Sequence, residues 1–317
     1  MDVGLVLGGL AVGVVVGLIG MGGGALMTPM LVFCFGVNPL AAVSSDLVTA
    51  AAMKPFGGPV HAMRRTVSWS LVGWLALGSV PSGFAGVLVL RALGGTSNVD
   101  VVVTTALGAA LLVASAALVV KAYVSLSRRS PPDEPLGASS GARLPVTVRP
   151  VPTVLVGVVG GLVVGMTSVG SGSLMIIALM LLYPVLRPGQ LVGTDLVQAV
   201  PLVAAAAMGH LIYGDVQLAV TGTLLLGSIP GTILGAMVSS RAPAGLVRRA
   251  LAVVLLASGL KLLSVPTSVT AAVLVACLIL GPLAWMGARK WNGLVPSPFA
   301  AKHTTRWVEQ ARRSAAV

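Results

Sequence analysis

Long uncharged apolar runs restrict the folding of this chain more than any other feature. They cover residues 101–120, 153–169, 216–238 and 268–288. Because about 20 apolar residues in a helix cross a bilayer core, each run can span a membrane. Only 9% of the residues are charged, whereas a soluble domain needs about a quarter. We therefore predict an all-α polytopic membrane protein with about 8–11 membrane segments.

The distribution of charge predicts orientation rather than a nucleic-acid partner. The net charge is +12, but most Lys and Arg residues lie between or beyond the apolar runs. Loops that obey the positive-inside rule have this arrangement. We expect a multi-pass protein of the cell membrane with the N-terminus outside and the C-terminus in the cytoplasm. The first apolar run lacks a basic leader, so we expect it to be retained.

Nothing in the sequence indicates a cofactor or a metal. No Gly-Lys step exists, so a Walker A loop is absent from the sequence. Cys34 and Cys277 both lie in apolar stretches, where we expect them to pack as small hydrophobic residues. We predict no cofactor, and the sequence leaves a homo-oligomer open.

The chain repeats itself at an offset of 148 to 149 residues. GLIGMGGGALM at 17–27 matches GMTSVGSGSLM at 165–175, Asp46 matches Asp195, and His61 matches His210. Acids and histidines are rare here, so these matches indicate a duplication. We predict a first membrane repeat in 1–125, a cytoplasmic linker in 126–152 and a second repeat in 153–264. An additional helix in 265–290 and a basic tail in 291–317 follow.

The two copies are predicted to face opposite sides of the membrane. Counting crossings places the basic loop with Arg64 and Arg65 inside and the matching loop 213–215 outside. Segment 25–36 has 12 residues and is too short for a bilayer core of about 30 Å. Whether it and segment 173–186 cross or re-enter is open. Inverted repeats with interrupted helices are typical of secondary transporters that work by alternating access.

The glycine-rich turns are the candidate substrate site. A helix that starts inside the membrane directs free N–H groups and a partial positive charge at its N-terminus, which attracts anions. The alternative is close helix packing of the GxxxG kind. The candidate substrate-binding residues in and after the turns are Gly22, Gly23, Gly24, Gly170, Ser171, Gly172 and Ser173.

Two acids lie inside predicted membrane helices. Asp46 and Asp195 each follow a proline by seven residues, which places them about 10 Å along a helix. Intramembrane acids are costly and mark functional sites, so we predict that both couple transport to protons. The alternative is a structural hydrogen bond from a donor such as Ser45 or Thr194, which are also candidate substrate contacts.

The remaining candidates are two histidines and one lysine. His61 and His210 could carry protons, or they could be solvated at helix ends. Each lies 15 residues from the Asp of its own copy, so the two cannot touch unless the helix breaks, for which 55–59 (PFGGP) offers a place. Lys54 is predicted to contact the substrate or an acid such as Asp195, with a snorkelling lysine as the alternative.

The repeated turns resemble those of a known family. GMGGGALMTP with GSGSLM, SSDLV with GTDLV, and LALGSVP with LLLGSIP are similar to motifs of the TauE/SafE family of sulfite and organosulfur anion exporters. The resemblance covers 4–290 and implies a proton-coupled carrier of small anions such as sulfite or sulfonates. The copies are not identical, because Gly23 and Pro29 become Ser171 and Ile177. Both copies also carry Asp where we expect many relatives to have a small hydroxyl residue.

We therefore predict a secondary transporter, an exporter of small anions, that is not an enzyme and whose partners are its anionic substrate and the bilayer. The alternatives are a passive anion channel and an intramembrane serine hydrolase that uses Ser171 and His210.

Overall fold

All the regular secondary structure among the described residues is α-helical. The computed structural model describes residues 2–19, 23–63, 67–94, 98–127, 148–184, 186, 188–238 and 244–291. These residues form α1 (Val3–Ile19), α2 (Gly24–Phe35), α3 (Pro39–Met63), α4 (Trp69–Gly94), α5 (Val99–Ser127), α6 (Pro150–Thr167), α7 (Leu174–Leu182), α8 (Pro188–Tyr213), α9 (Leu218–Val238), α10 (Ala244–Leu262) and α11 (Thr267–Trp291). The predicted all-α class is confirmed.

The surface of the bundle is apolar, as a lipid-facing surface must be. Large apolar side chains such as Leu77, Leu155 and Met237 are well exposed, whereas Asp46 and His210 are buried. Among the described residues, five helices are long and apolar enough to cross a bilayer, and they lie in α4, α5, α6, α8 and α9. This distribution confirms a polytopic membrane protein.

The two cysteines do not pack in the core. Cys34 on α2 and Cys277 on α11 are both free and exposed. Their helices present these positions outward, toward the face that lipid would cover. The expectation that both pack as buried hydrophobic residues is therefore wrong.

The first two helices of each copy form a hairpin. In the second copy, the Tyr183 hydroxyl lies 2.6 Å from Thr153 Oγ1, and a side chain at Gly160 would touch Met175. In the first copy, side chains at Gly4 and Gly8 would touch Phe35 and Met30, respectively. Each second arm thus runs back along the first arm toward the side at which the first arm begins.

Equivalent helices of the two copies run in opposite directions. On α3 and α8, Ser44 near the start of one helix contacts His210 near the end of the other. On α5 and α10, Ser115 Oγ donates to Ala252 O at 2.8 Å, and a side chain at Gly108 would meet Leu263. Helices related by a two-fold axis are antiparallel when the axis lies perpendicular to them. The predicted inverted repeat is therefore confirmed.

Two glycine-lined contacts hold the copies together, and they are equivalent position by position. A Cβ at Gly13 on α1 would lie 2.5 Å from Ser228 O on α9. A Cβ at Gly161 on α6 would lie 2.5 Å from Ser79 O on α4. Backbone meets backbone at both contacts, as in other membrane helix pairs with small residues at the interface. Close packing therefore explains the glycines within α1 and α6.

The helix directions separate basic from acidic connections. Helices α3, α5 and α9 end at one face, and the sequence that follows their ends contains Arg64, Arg65, Arg128, Arg129 and Arg241. At the other face, where α3 and α5 begin, Asn38 Nδ2 donates to Asp100 Oδ2 at 2.7 Å. The arginines at these ends lie outside the described residues.

Candidate functional site

The two glycine-rich turns meet in the centre of the bundle. Gly24, the first residue of α2, lies against the backbone and the hydroxyl of Ser168, so that a Cβ would not fit there. Gly170 and Gly172 have φ values of 115° and 119°, which side chains rarely allow, and this geometry turns the chain from α6 into α7. Gly22 lies outside the described residues.

The second turn lies deep in the membrane. The Ser168 side chain lies close to Asp46, and Lys54 Nζ donates to Ser171 Oγ at 2.7 Å. Both partners lie on α3, about 10 Å and 22 Å along that helix from Pro39. Because a bilayer core is about 30 Å thick, the turn is near its middle. The turn of the second copy therefore lies beside the middle of α3, and the Gly24 contact places the end of the first copy's turn next to it.

Both helices that leave the turns begin without a side-chain cap. Gly23 precedes α2 and Ser173 precedes α7, and neither caps the first turn through its side chain. The leading amides of a helix have no partner within that helix. Two such N-termini therefore bring partial positive charge to the same buried region.

Asp46 is fully buried beside the contact between the turns. Thr28 Oγ1 on α2 donates to Asp46 Oδ2 at 2.7 Å, and the Ser168 hydroxyl lies close to the same carboxylate. The other carboxylate oxygen, Oδ1, has no hydrogen-bond partner within the described part of the chain. A carboxylate with one free buried oxygen has capacity for a further ligand or a proton.

Asp195 occupies the equivalent position on α8 but has different neighbours. Lys54 lies near both acids, and its hydrogen bond goes to Ser171 rather than to either carboxylate. Lys121 on α5 also acts on Asp195. The Oδ1 atom of Asp195, like that of Asp46, is buried and has no hydrogen-bond partner among the described residues. The central site thus holds two acids and a lysine that bridges to the turn through Ser171.

Ser45 and Thr194 make equivalent contacts between the copies. The Ser68 amide, just before α4, donates to Thr194 Oγ1 at 3.1 Å. The Gln217 amide, just before α9, donates to Ser45 Oγ at 3.2 Å. Each hydroxyl therefore binds the start of a helix in the opposite copy. Neither side chain provides the predicted donor to Asp46, and a role for them in substrate binding stays a prediction.

His210 contacts helix α3 of the other copy through Ser44. Its Nε2 donates to Gly165 O at 2.7 Å, and its Nδ1 is 2.8 Å from Ser44 Oγ. Ser44 is two residues from Asp46, and Gly165 is three residues from Ser168, so His210 is connected to the surroundings of Asp46. The antiparallel crossing of α3 and α8 produces this pairing across the copies. Both ring nitrogens are engaged, so the structure does not pair His210 with Ser171 as a serine hydrolase would require.

Helix α3 does not break at 55–59, the place at which the sequence would permit a break. The helix runs without interruption from Pro39 to Met63, through residues 55–59. The His61 side chain lies outside the described residues, so its predicted role in proton coupling stays a prediction.

Sequence reasoning missed the residues that the fold brings in from other helices. Thr28 donates to Asp46, Ser168 lies close to it, and Gln198 Nε2 on α8 donates to Ser79 Oγ on α4 at 2.5 Å. For Thr28 and Ser168, the only indication in the sequence was a hydroxyl side chain within four residues of a glycine-rich turn. The identity of its partner depends on how α2, α3 and α6 cross.

Comparisons with known proteins agree with this architecture. Residues 5–262 match the family model described as sulfite exporter TauE/SafE. A protein of Bacillus subtilis (strain 168), described as the probable membrane transporter protein YjnA, is 36% identical over 264 residues, which cover 83% of this chain and 100% of that protein. No solved structure matches. The family match ends with α10, so it includes both inverted copies. The chain therefore belongs to the sulfite exporter TauE/SafE family of membrane transporters.

Proposed function

We propose that this protein is a proton-coupled secondary transporter that exports small sulfur-containing anions, such as sulfite or sulfonates, across the cell membrane. The observation that carries the proposal is the convergence of two helix N-termini and Lys54 in one buried region. The N-terminus is proposed to lie outside the cell and the C-terminus in the cytoplasm.

The chemistry of the central site favours an oxyanion. Backbone amides at the starts of α2 and α7 are hydrogen-bond donors that carry no side-chain entropy cost. Ser171 and Ser173 add hydroxyl groups, and Lys54 adds a full positive charge. An oxyanion accepts several hydrogen bonds at once, so a cluster of donors from both copies suits it. We propose Gly23, Gly24, Gly170 and Gly172 as positions at which the backbone approaches the anion.

The inverted architecture supports alternating access. Two copies of one unit in opposite orientations can exchange conformations, which gives outward-facing and inward-facing states of similar energy. The central site lies where the copies meet, so either state can expose it. The family description names sulfite as the exported substrate, and we extend that substrate class to this chain as a proposal.

Asp46 and Asp195 are proposed to couple the substrate to protons, and His61 and His210 to conduct protons toward the two surfaces. Burying an acidic side chain at this depth costs free energy, so such residues mark functional sites. The contact of His210 with Ser44, which lies two residues before Asp46 on α3, supports this assignment.

Flux measurements in proteoliposomes test the proposal. Vesicles that contain the purified protein would be loaded with radiolabelled sulfite, thiosulfate or methanesulfonate, and efflux would be recorded with and without a pH gradient. We expect efflux of at least one of these anions, and faster efflux when the gradient drives it. Protein-free vesicles are the control. Efflux at the same rate in both conditions would identify a passive channel, and no efflux of any tested anion would refute the anion-transporter assignment.

A further inference from the structure

Two oxygen atoms at neighbouring positions of α8 are buried without a hydrogen-bond partner. Asp195 and Gln198 are three residues apart, and side chains with this spacing are neighbours on one face of a helix. Their exposed fractions are 2% and 0%, and among the described residues neither Asp195 Oδ1 nor Gln198 Oε1 has a partner. A buried polar atom without a partner costs free energy, so the pair calls for a shared explanation.

The nitrogen end of the Gln198 amide is held by a second helix. Nε2 donates to Ser79 Oγ on α4 at 2.5 Å, which directs the carbonyl end of the same amide away from Ser79. A carbonyl oxygen and a carboxylate oxygen are both acceptors, so they bond to each other only through a proton between them. A proton on Asp195 Oδ1 would donate to Gln198 Oε1 and satisfy both atoms at once.

The same amide can serve the charged acid when its two ends exchange places. Nε2 then donates to Asp195 Oδ1, and Oε1 accepts from the Ser79 hydroxyl. The exchange needs no new group, because an amide carries a donor end and an acceptor end, and a hydroxyl can act as either donor or acceptor.

We infer that Gln198 is the positioning residue of Asp195, and that it hydrogen-bonds this acid in both the protonated and the charged state by reversing its amide against Ser79. The inference rests on the proposed function, in which Asp195 couples transport to protons, and deepens it. The proton comes from water and returns to water, while the amide and the hydroxyl keep their own hydrogens.

The other copy lacks this arrangement. Thr49 stands at the position equivalent to Gln198, and Ser228 at the position equivalent to Ser79. Thr49 Oγ1 donates to Ser45 O within its own helix, and Ser228 Oγ is buried with no partner in the described part of the chain. The longer glutamine side chain is therefore what connects α8 to the serine of the neighbouring helix.

The charged groups around Asp195 do not occupy its Oδ1 atom. Helix α8 packs against α3, α4, α6 and α7. Lys54 on α3 and Lys121 on α5 lie near Asp195, and Lys54 donates to Ser171. Helices α6 and α7 contain no titratable side chain. The other titratable side chains described on α3, α4 and α8 are those of Asp46, Arg91, His210 and Tyr213.

Infrared spectroscopy tests the inference, because a protonated carboxyl group and a carboxylate have separate stretching bands. The purified full chain would be measured in lipid bilayers over a series of pH values. We expect a protonated-carboxyl component that disappears in Asp195→Asn and remains in Asp46→Asn. In Gln198→Leu this component should shift to higher frequency, because the carboxyl group loses its acceptor. At high pH the carboxylate band of Asp195 should also shift, because it loses the amide donor.

Matched variants separate this role from a structural one. Gln217→Leu is the control, because that side chain is exposed, and it should leave both bands unchanged. Ser79→Ala should shift the bands less than Gln198→Leu, since the amide remains but is no longer held. If Gln198→Leu does not fold, Gln198→Thr replaces it with the residue type of the equivalent position.

Three results would overturn the inference: bands that do not respond to substitution of Gln198, a response in only one of the two protonation states, and the absence of an Asp195-dependent carboxyl band at every pH at which the protein stays folded. Each of them leaves the anion-transporter proposal intact. Failure of wild-type protein to release any tested anion from proteoliposomes would instead refute the proposed function, and the infrared bands would still be measurable.

Discussion

At the scale of single residues, some polar side chains have an apolar residue or a glycine at the equivalent position of the other copy. Lys54 and Ser171 contact each other, although they belong to different copies, and their counterparts are Val203 and Gly23. The two polar residues therefore occur together at positions that the fold brings into contact. A pair formed in this way is specific to one side of the two-fold axis and makes the central site asymmetric.

Removal of either member of this pair should weaken anion binding. Lys54→Gln should lower the affinity about tenfold or more, because a charge-assisted hydrogen bond contributes about 1.5–3 kcal/mol. Ser171→Ala should have a smaller effect, and the double variant should bind no worse than Lys54→Gln alone, since the two side chains act together. Titration of thiosulfate measures all three. Additive losses would show that the residues act independently.

His210 provides a separate test at this scale. In His210→Gln the amide can still bond to Gly165 O or Ser44, but it cannot carry a proton. We expect the variant to fold, with thermal stability close to that of wild type, and to lose the acceleration of efflux by a pH gradient. Ser44→Ala is the control for the loss of the hydrogen bond alone. A His210→Gln protein with an unchanged response to the gradient would make His210 a packing residue.

At the scale of helices, glycine determines which surfaces can approach. The contacts between α1 and α9 and between α4 and α6 place backbone against backbone, with Gly13 and Gly161 at equivalent points. The same residue type has a different task in the turns, where Gly170 and Gly172 adopt positive φ values. Glycine content alone does not separate these roles, because both appear in the sequence as closely spaced glycines.

A bulky residue in the contact between α1 and α9 should separate those helices. A side chain at Gly13 has no space against the backbone of Ser228, so Gly13→Val should destabilise the protein by about 1–3 kcal/mol or more. Gly222→Val on α9 is the matched control, because a Cβ there meets nothing within 4 Å. Thermal unfolding in detergent measures both. Equal melting temperatures for the two variants would contradict the packing described for α1.

At the scale of the whole molecule, inversion is the property that creates a central site. Antiparallel crossings of α3 with α8 and of α5 with α10 place the two hairpins on opposite sides, with their turns toward each other. In a parallel duplication both hairpins would enter from the same face, and their helix N-termini would point in the same direction. Helix α11 follows the second copy and packs on α10, outside the repeated unit.

Labelling of equivalent positions tests the inversion directly. Ser68 precedes α4 and Gln217 precedes α9, so Ser68→Cys and Gln217→Cys report on the same place in the two copies. We expect a membrane-impermeant thiol reagent to label Gln217→Cys from outside intact cells and Ser68→Cys only after permeabilisation. The background would carry Cys34→Ser and Cys277→Ser. Labelling of both positions from the same side would contradict the inverted arrangement.

The sequence by itself determined the class, the duplication and the opposite orientation of the copies. Apolar runs of membrane length leave helices as the means of satisfying backbone hydrogen bonds, and rare residues such as Asp46 and Asp195 make the repeat visible. The charge of the loops then predicts the side of the membrane that each copy faces. These properties are local or additive along the chain, so they can be read without a structure.

Only the tertiary structure decided which side chains meet. Asp46 accepts a hydrogen bond from Thr28 of an earlier helix and lies close to Ser168 of the other copy, and His210 contacts Ser44 of the opposite repeat. Their contacts depend on the crossing of antiparallel helices that are far apart in the sequence. A repeat shows that two positions are equivalent, but their neighbours come from different copies, so equivalent positions acquire unequal surroundings.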